Sequence, residues 1–151
     1  MTPKRKLQLD ETLLKIAEQI ATMSFATRTK VGAILFKDGN IISMGWNGMP
    51  SGFPNSEIEI KNEDGTLTTN TLVLHAESNA LSKCAASNGN TNGSTLYVTI
   101  NPCMDCAKSI IQCGIKRVVF RDYYRIRDAV LLLERAGIIV DRLVDGKIIK
   151  E

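Results

Sequence analysis

The sequence predicts a layered α/β domain, with helices packed on a sheet that opens with a hairpin. Two short apolar runs are joined by a glycine-containing turn at residues 37–40, which is typical of a β-hairpin. Beyond residue 75, helical segments of roughly 10–14 residues alternate with short strand-like runs, as in parallel strands joined by helical crossovers. A chain of 151 residues is the right size for one domain.

Apolar periodicity and turn residues set the boundaries of the predicted elements. Gly114 and Gly137 are expected to end the last two helices. Residues 48–71 are predicted to be a long polar loop, and such loops are usually functional lids or partly disordered. The basic run at residues 1–6 is expected to fray, and residues 144–151 to form a loose polar tail. The predicted strands are 31–36, 41–45, 95–100, 117–121 and 138–143, and the predicted helices are 10–23, 76–88, 103–113 and 125–136.

Composition argues against a membrane or nucleic-acid partner. No apolar stretch approaches the ~18–20 residues that span a bilayer, and the N-terminus lacks the apolar core of a signal peptide. We therefore expect a cytoplasmic protein, in the host cytoplasm if the chain is phage-encoded. The net charge of +3 comes from scattered lysines and arginines, and aromatic residues make up 5% of the chain. Proteins that bind nucleic-acid strands usually have a basic stripe and several stacking aromatics.

Two short fragments contain the residues best suited to metal chemistry. His75 begins one predicted helix, and Cys103 and Cys106 begin another. The two cysteines are three residues apart, about one helical turn, so their sulfur atoms can face one point. The positive end of a helix favours thiolate, the form that binds zinc. Three protein ligands leave one tetrahedral position open, which is typical of catalytic zinc.

Glu77 is the carboxylate nearest to these ligands in sequence and the candidate for proton transfer. A catalytic zinc site needs a base that takes a proton from water and returns it to the substrate. The sequence contains H-x-E…P-C-x-x-C, the pattern of zinc nucleobase deaminases, with every fixed position present. Those positions are His75, Glu77, Pro102, Cys103 and Cys106.

A redox dithiol and a structural zinc site are the alternatives for the C-x-x-C fragment. A redox pair would not explain why the one histidine of the chain stands two residues before a glutamate. A structural zinc would need a fourth ligand, and Cys84 and Cys113 are the candidates. We expect both to be small buried apolar side chains instead.

Four segments, in order, resemble deoxycytidylate (dCMP) deaminases of microbial or phage type. They are R-T-K-V-G-A at 28–33, G-W-N-G-M-P at 45–50, H-A-E at 75–77 and P-C-M-D-C-A-K at 102–108. The zinc motif is shared with other deaminases, whereas the segment at 45–50 favours the dCMP group. The resemblance covers residues 10–143 and implies a cytidine deaminase-like fold, a three-layer α/β/α domain with a mixed five-stranded sheet. It also implies a hydrolase that converts dCMP to dUMP and ammonia for thymidylate synthesis. Some members hold a second, structural zinc with Cys and His of the long loop; residues 52–71 contain neither, so one Zn²⁺ per chain is expected.

The resemblance implies substrate-binding roles for four residues. Asn47 is expected to hydrogen-bond the sugar or base, and Arg28 to bind the phosphate. Tyr123 is expected to close over the substrate, and Ala76 to contact the substrate. The residues alone allow plainer interpretations. Asn47 lies between Gly45 and Gly48 and could be a turn residue with positive φ. Arg28 could be an ordinary surface arginine, and Tyr123 an aromatic at the edge of the core.

The resemblance also implies assembly and regulation. Members are commonly homohexamers that dCTP activates and dTTP inhibits, so these nucleotides are expected partners, with Mg²⁺ accompanying a triphosphate effector. Trp46 and Gly48 are placed on the effector side, and Trp46 replaces the usual tyrosine, which leaves the sign and size of the response open. The alternatives to dCMP deamination are a deaminase of tRNA adenosine or single-stranded DNA cytosine, and a catalytically silent nucleotide sensor. The intact Glu77 weighs against a silent sensor.

Overall fold

The computed structural model describes residues 1–124 and 127–150, and within them six strands form one mixed sheet packed by four helices. The helices are α1 (Pro3–Ala21), α2 (Ala76–Ala85), α3 (Met104–Gln112) and α4 (Asp128–Arg135). The strands are β1 (Gly32–Lys37), β2 (Asn40–Trp46), β3 (Glu59–Lys61), β4 (Leu67–Thr69), β5 (Thr95–Ile100), β6 (Arg117–Asp122), β7 (Ile139–Val144) and β8 (Lys147–Lys150). The predicted start of the last helix at Arg125 lies outside the described residues.

The main sheet has the strand order β2-β1-β5-β6-β7-β8. Strands β5, β6 and β7 are parallel and joined by α3 and α4, while β2, β1 and β8 run antiparallel to their neighbours. The prediction of a mixed α/β fold is therefore confirmed. Helix α1 covers one face of the sheet and α2, α3 and α4 cover the other, which gives the three layers.

The predicted count of five strands is wrong by one, because the expected polar tail contains β8. Asp145 and Gly146 both have positive φ, 50° and 71°, and connect β7 to β8 as a tight hairpin. Asp-Gly is a preferred pair for such two-residue turns. Ile148 of β8 packs against the apolar cluster under α1, so the tail contributes to the core. Glu151 lies outside the described residues.

The basic N-terminus is helical rather than frayed. Helix α1 begins at Pro3, seven residues earlier than predicted. The side chain of Thr2 caps the helix by accepting a hydrogen bond of 3.2 Å from the backbone N–H of Arg5. Pro3 is favoured in the first turn because backbone N–H groups there have no partner within the helix, so a residue without an N–H loses no hydrogen bond.

The predicted long loop contains structure of its own. After a short 3-10 turn at Asn55–Glu57, β3 and β4 pair as an antiparallel hairpin. Ile58, buried at the base of this hairpin, accepts a backbone hydrogen bond of 2.9 Å from Asn70. The alternation of apolar and polar side chains is too short in these three-residue strands to be recognised as a strand signal.

A close helix–strand contact fixes the position of α2, the helix that carries His75 and Glu77. A methyl group on Gly45 of β2 would come within 2.5 Å of the backbone oxygen of Ala76. The glycine therefore allows β2 and the first turn of α2 to touch at backbone distance. Among the described residues, no helix combines the length and apolar character needed to cross a bilayer.

Candidate active site

Two helix N-termini bring the predicted metal ligands together. His75 is the N-cap residue of α2, and Cys103 is the N-cap residue of α3, with its sulfur accepting from the N–H of Cys106 at 3.4 Å. The Nδ1 atom of His75 lies 3.4 Å from the sulfur of Cys103 and 3.4 Å from that of Cys106. The predicted convergence of these three side chains is therefore present in the fold.

The three donor atoms fit a zinc ion. Tetrahedral zinc with N and S ligands places those atoms about 3.6 Å apart, given bond lengths of ~2.0–2.1 Å and ~2.3 Å. All three donor atoms lie within 4.8 Å of one another, and no other His, Cys, Asp or Glu of the described residues joins the group. Cys84 is buried and Cys113 half-buried elsewhere, so neither supplies the fourth ligand that a structural zinc site would need.

The two thiols of the site differ in acidity. Hydrogen bonds from Cys106 and His75 lower the pKa of Cys103 to about 4. The hydrogen bond to Cys103, together with burial, raises the pKa of Cys106. The hydrogen bond to Cys103 also raises the pKa of His75. Metal ligands must be deprotonated, so metal binding here is coupled to proton release.

Glu77 lies in the first turn of α2, two residues after His75. Its side chain is buried, and burial raises the pKa of its carboxyl group. The thiol of Cys106 is a close neighbour of this carboxyl. A buried carboxyl group beside a metal-ligand set is placed to accept and return a proton.

A cavity of about 500 Å³ opens over these groups, within the usual size range of small-molecule sites. It brings two of the predicted zinc ligands, His75 and Cys103, and Glu77 into the same space as Arg28 and Asn47. Ala76, buried at the start of α2, also lines it. The polar lining includes Arg28, Thr29, Asn47, Glu59, Thr69, His75, Glu77, Asn101, Cys103, Tyr124 and Asp128.

Asn47 lines the cavity and holds the segment before β1. Its side-chain oxygen accepts from the N–H of Val31 at 2.8 Å, and its side-chain nitrogen donates to the carbonyl of Thr29 at 2.9 Å. Its φ is not positive, so the turn-residue interpretation is wrong. Each amide atom has capacity for one further hydrogen bond, which keeps a contact with substrate available.

Arg28 also lines the cavity, and its guanidinium is partly occupied. Its Nη1 atom donates to the carbonyl of Leu67 at 3.0 Å, and its Nη2 atom donates to the hydroxyl of Thr69. A guanidinium has five N–H donors, so three remain beyond these two contacts.

Tyr123 and Tyr124 take different positions after β6. The ring of Tyr123 packs edge-on against Phe120, with centroids 5.0 Å apart, and Arg142 lies 4.8 Å from its centroid. Tyr124 instead lines the cavity and is largely exposed. The sequence contained a Tyr-Tyr pair, but periodicity could not tell which member faces the cavity. Glu59 and Asp128 were also missed, because neither belongs to a motif.

Trp46 and Gly48 flank Asn47 on the chain. Gly48 and Leu74 exchange two backbone hydrogen bonds of 3.1 and 2.8 Å, directly before His75. Asn79 of α2 donates to the carbonyl of Trp46 at 3.1 Å, and the ammonium group of Lys83 lies 4.3 Å from the centroid of the Trp46 ring. Residues 46–48 are thus tied to the start of α2.

Comparison with known proteins agrees with this geometry. Residues 7–122 match the family model described as the cytidine and deoxycytidylate deaminase zinc-binding region. The chain belongs to this deaminase family. A crystal structure of the dCMP deaminase of cyanophage S-TIM5, in complex with dCMP and dUMP, is 44% identical with a TM-score of 0.85, over 95% of this chain and 99% of that one.

Two further relatives are enzymes of the same name. Deoxycytidylate deaminase of enterobacteria phage T2 is 33% identical, over 75% of this chain and 79% of its own length. The human deoxycytidylate deaminase is 34% identical, over 87% of this chain and 78% of its own length. These similarities and the assembled His75-Cys103-Cys106 site identify the chain as a zinc-binding deaminase.

Proposed function

We propose that this deaminase converts dCMP to dUMP and ammonia, and so supplies dUMP for thymidylate synthesis in the cytoplasm. The observation that carries the proposal is one cavity lined by Glu77, by the metal ligands His75 and Cys103, and by Asn47 and Arg28. The similarity to the cyanophage dCMP deaminase over nearly the whole chain supports the same substrate.

Glu77 performs the proton transfers in this proposal. When bound by His75, Cys103 and Cys106, zinc supplies a Lewis acid that lowers the pKa of a coordinated water. The Glu77 carboxylate takes a proton from the attacking water and delivers it to N3 of cytosine. It then passes the second proton of that water to the departing amine, so water and cytosine become uracil and ammonia.

The remaining cavity residues orient the nucleotide. The free donors of Arg28 bind the phosphate through charge-assisted hydrogen bonds. Asn47 uses its remaining hydrogen-bonding capacity on the sugar or base, and Ala76 contacts the base from the helix start. Tyr124 lines the cavity. In this proposal Tyr124, rather than Tyr123, closes over the substrate. Tyr123 contributes by packing edge-on against Phe120.

The proposal extends to assembly and control. The enzyme forms a homohexamer that dCTP activates and dTTP inhibits, with Mg²⁺ bound to the triphosphate. Trp46 and Gly48 face the effector, and Asn47 between them faces the substrate. The paired backbone hydrogen bonds between Gly48 and Leu74 support coupling, because a shift of this segment moves the residue before His75.

The substrate is tested by measuring ammonia release from a panel of nucleotides. The panel contains dCMP, dCTP, deoxycytidine, a single-stranded oligodeoxynucleotide and a tRNA with a wobble adenosine, each with Glu77→Gln as the blank. Highest kcat/KM for dCMP supports the proposal. Preferred turnover of a polynucleotide would replace it with the tRNA or DNA alternative, and no turnover of any substrate would favour a silent nucleotide sensor.

A further inference from the structure

Glu59, on the β3–β4 hairpin, binds the backbone of the segment that carries Arg28. Its Oε1 atom accepts from the N–H of Thr27 at 2.7 Å and from the N–H of Arg28 at 3.2 Å. Its Oε2 atom accepts from the hydroxyl of Thr27. One carboxylate thus accepts hydrogen bonds from two consecutive backbone amides and from one hydroxyl.

The same hairpin also binds the side chain of Arg28. The guanidinium donates to the carbonyl of Leu67 and the hydroxyl of Thr69, both on β4. Glu59 and Thr69 face each other in the β3–β4 register, so the two sets of contacts come from adjoining positions of one hairpin. Both the backbone and the side chain of Arg28 are therefore held from the same side.

The hairpin is itself anchored to the domain. Ile58, directly before Glu59, is buried. Asn70, directly after β4, donates through its backbone to Ile58 at 2.9 Å and through its side chain to the carbonyl of Glu57 at 3.0 Å. Glu59 and Thr69 also line the cavity beside Arg28. A rigid support of this kind reduces the conformational freedom that an arginine loses when it binds an anion.

We infer that Glu59 is a positioning residue, which sets monophosphate binding by holding the Thr27–Arg28 segment and its guanidinium toward the cavity. The inference rests on the proposed phosphate role of Arg28. The β3–β4 hairpin, which lies between β2 and α2 in the chain, then has the function of supporting Arg28. The hydrogen bonds of Glu59 go to Thr27 and Arg28, so its effect is expected in substrate binding rather than in proton transfer.

The test compares Glu59→Ala and Glu59→Gln with Glu63→Ala, a control that removes an exposed charge from the tip of the same hairpin. Glutamine keeps an oxygen that accepts from both amides, whereas alanine removes it. Glu59→Ala should raise KM for dCMP about tenfold with kcat within about threefold, and leave kcat/KM for deoxycytidine unchanged. Glu59→Gln should stay within about threefold of wild type, and Glu63→Ala should match wild type.

Unchanged KM for dCMP in Glu59→Ala, equal losses for dCMP and deoxycytidine, or losses in Glu59→Gln as large as in Glu59→Ala would each overturn the inference. A wild-type enzyme without preference for dCMP over deoxycytidine would instead overturn the proposed function. Hydrogen exchange, followed by mass spectrometry on a peptide spanning residues 24–30, then tests the positioning alone. Faster exchange in Glu59→Ala but not in Glu63→Ala supports it, and unchanged exchange contradicts it.

Discussion

Arg117 of β6 donates two hydrogen bonds of 2.8 Å to the carboxylate of Asp10 on α1, although 107 residues separate them. The guanidinium also donates to Asp141 of β7 at 2.9 Å, and the hydroxyl of Tyr97 donates to Asp10 at 2.6 Å. All four residues are buried. This network joins α1 to three strands on the sheet face opposite the active site.

Asp10→Asn should lower the free energy of unfolding by about 3 kcal/mol, because breaking a buried ion pair leaves the partner's charge poorly compensated. Urea unfolding of zinc-loaded protein measures the change. Asp38→Asn is a matched control, since Asp38 is exposed and asparagine tolerates its positive φ of 50°. Equal stability of the two variants would show that the network does not stabilise the fold.

The stabilisation by Asp10 should also depend on pH in a defined direction. Burial disfavours the charged carboxylate, but hydrogen bonds from Arg117 and Tyr97 outweigh it, and the pKa of Asp10 lies below its ordinary value of 3.8. The pKa of Asp10 is lower in the folded protein than in the unfolded chain. The contribution of its carboxylate to the free energy of unfolding is therefore complete above pH ~4 and is lost as pH falls through the folded pKa. The stability difference between wild type and Asp10→Asn should therefore stay constant from pH 8 to pH 5.

Purified protein should contain about one zinc per chain by elemental analysis. Cys103→Ser and His75→Ala should lose the metal and unfold at lower temperature, because metal binding is coupled to folding. Cys113→Ser is the control, since Cys113 lies outside the ligand group, and it should retain zinc. Wild-type protein with intact thiols and no zinc would contradict the assignment of the site.

Arg28→Ala should lower kcat/KM for dCMP about 10–100-fold and leave deoxycytidine nearly unchanged, since a charged hydrogen bond to phosphate contributes roughly 1.5–3 kcal/mol. Lys61→Ala removes the same charge from the exposed face of β3 and should have little effect. Parallel losses for both substrates would make Arg28 a structural residue and remove the basis for phosphate recognition.

Effector binding should change the fluorescence of Trp46, the one tryptophan of the chain. A coupling free energy of ~1–3 kcal/mol would change dCMP affinity some 5–150-fold, with a reciprocal change in effector affinity. Light scattering should give a hexamer, and Trp46→Tyr should alter the response to dCTP and dTTP more than the turnover at saturating dCMP. A monomer with kinetics indifferent to both nucleotides would remove regulation and leave the deaminase assignment intact.

Local spacing explains why the metal site could be predicted from the sequence. Cys103 and Cys106 lie within one helical turn, and the glutamate stands two residues from the histidine, so the motif encodes most of the geometry. The tight turn at Asp145 and Gly146 was also available as a signal, but the polar residues around it concealed a sixth strand. A hairpin of two three-residue strands offers no periodicity to detect.

Contacts across the fold could not be predicted in the same way. The pairing of Arg117 with Asp10 depends on how α1 lies on the sheet, which no local pattern specifies. Likewise, Glu59 reaches Thr27 across 32 residues through a loop without a motif. Which of Tyr123 and Tyr124 faces the cavity depends on where β6 ends, at Asp122.

The most direct test of the account is the turnover of Glu77→Gln with dCMP. Glutamine nearly matches glutamate in shape but cannot cycle a proton, so zinc content and dCMP affinity should match those of wild type. The kcat should fall by at least ~10²–10⁴, the usual contribution of general acid–base catalysis. A zinc-loaded Glu77→Gln enzyme that deaminates dCMP at nearly the wild-type rate would contradict the central claim, because another group would then carry the proton.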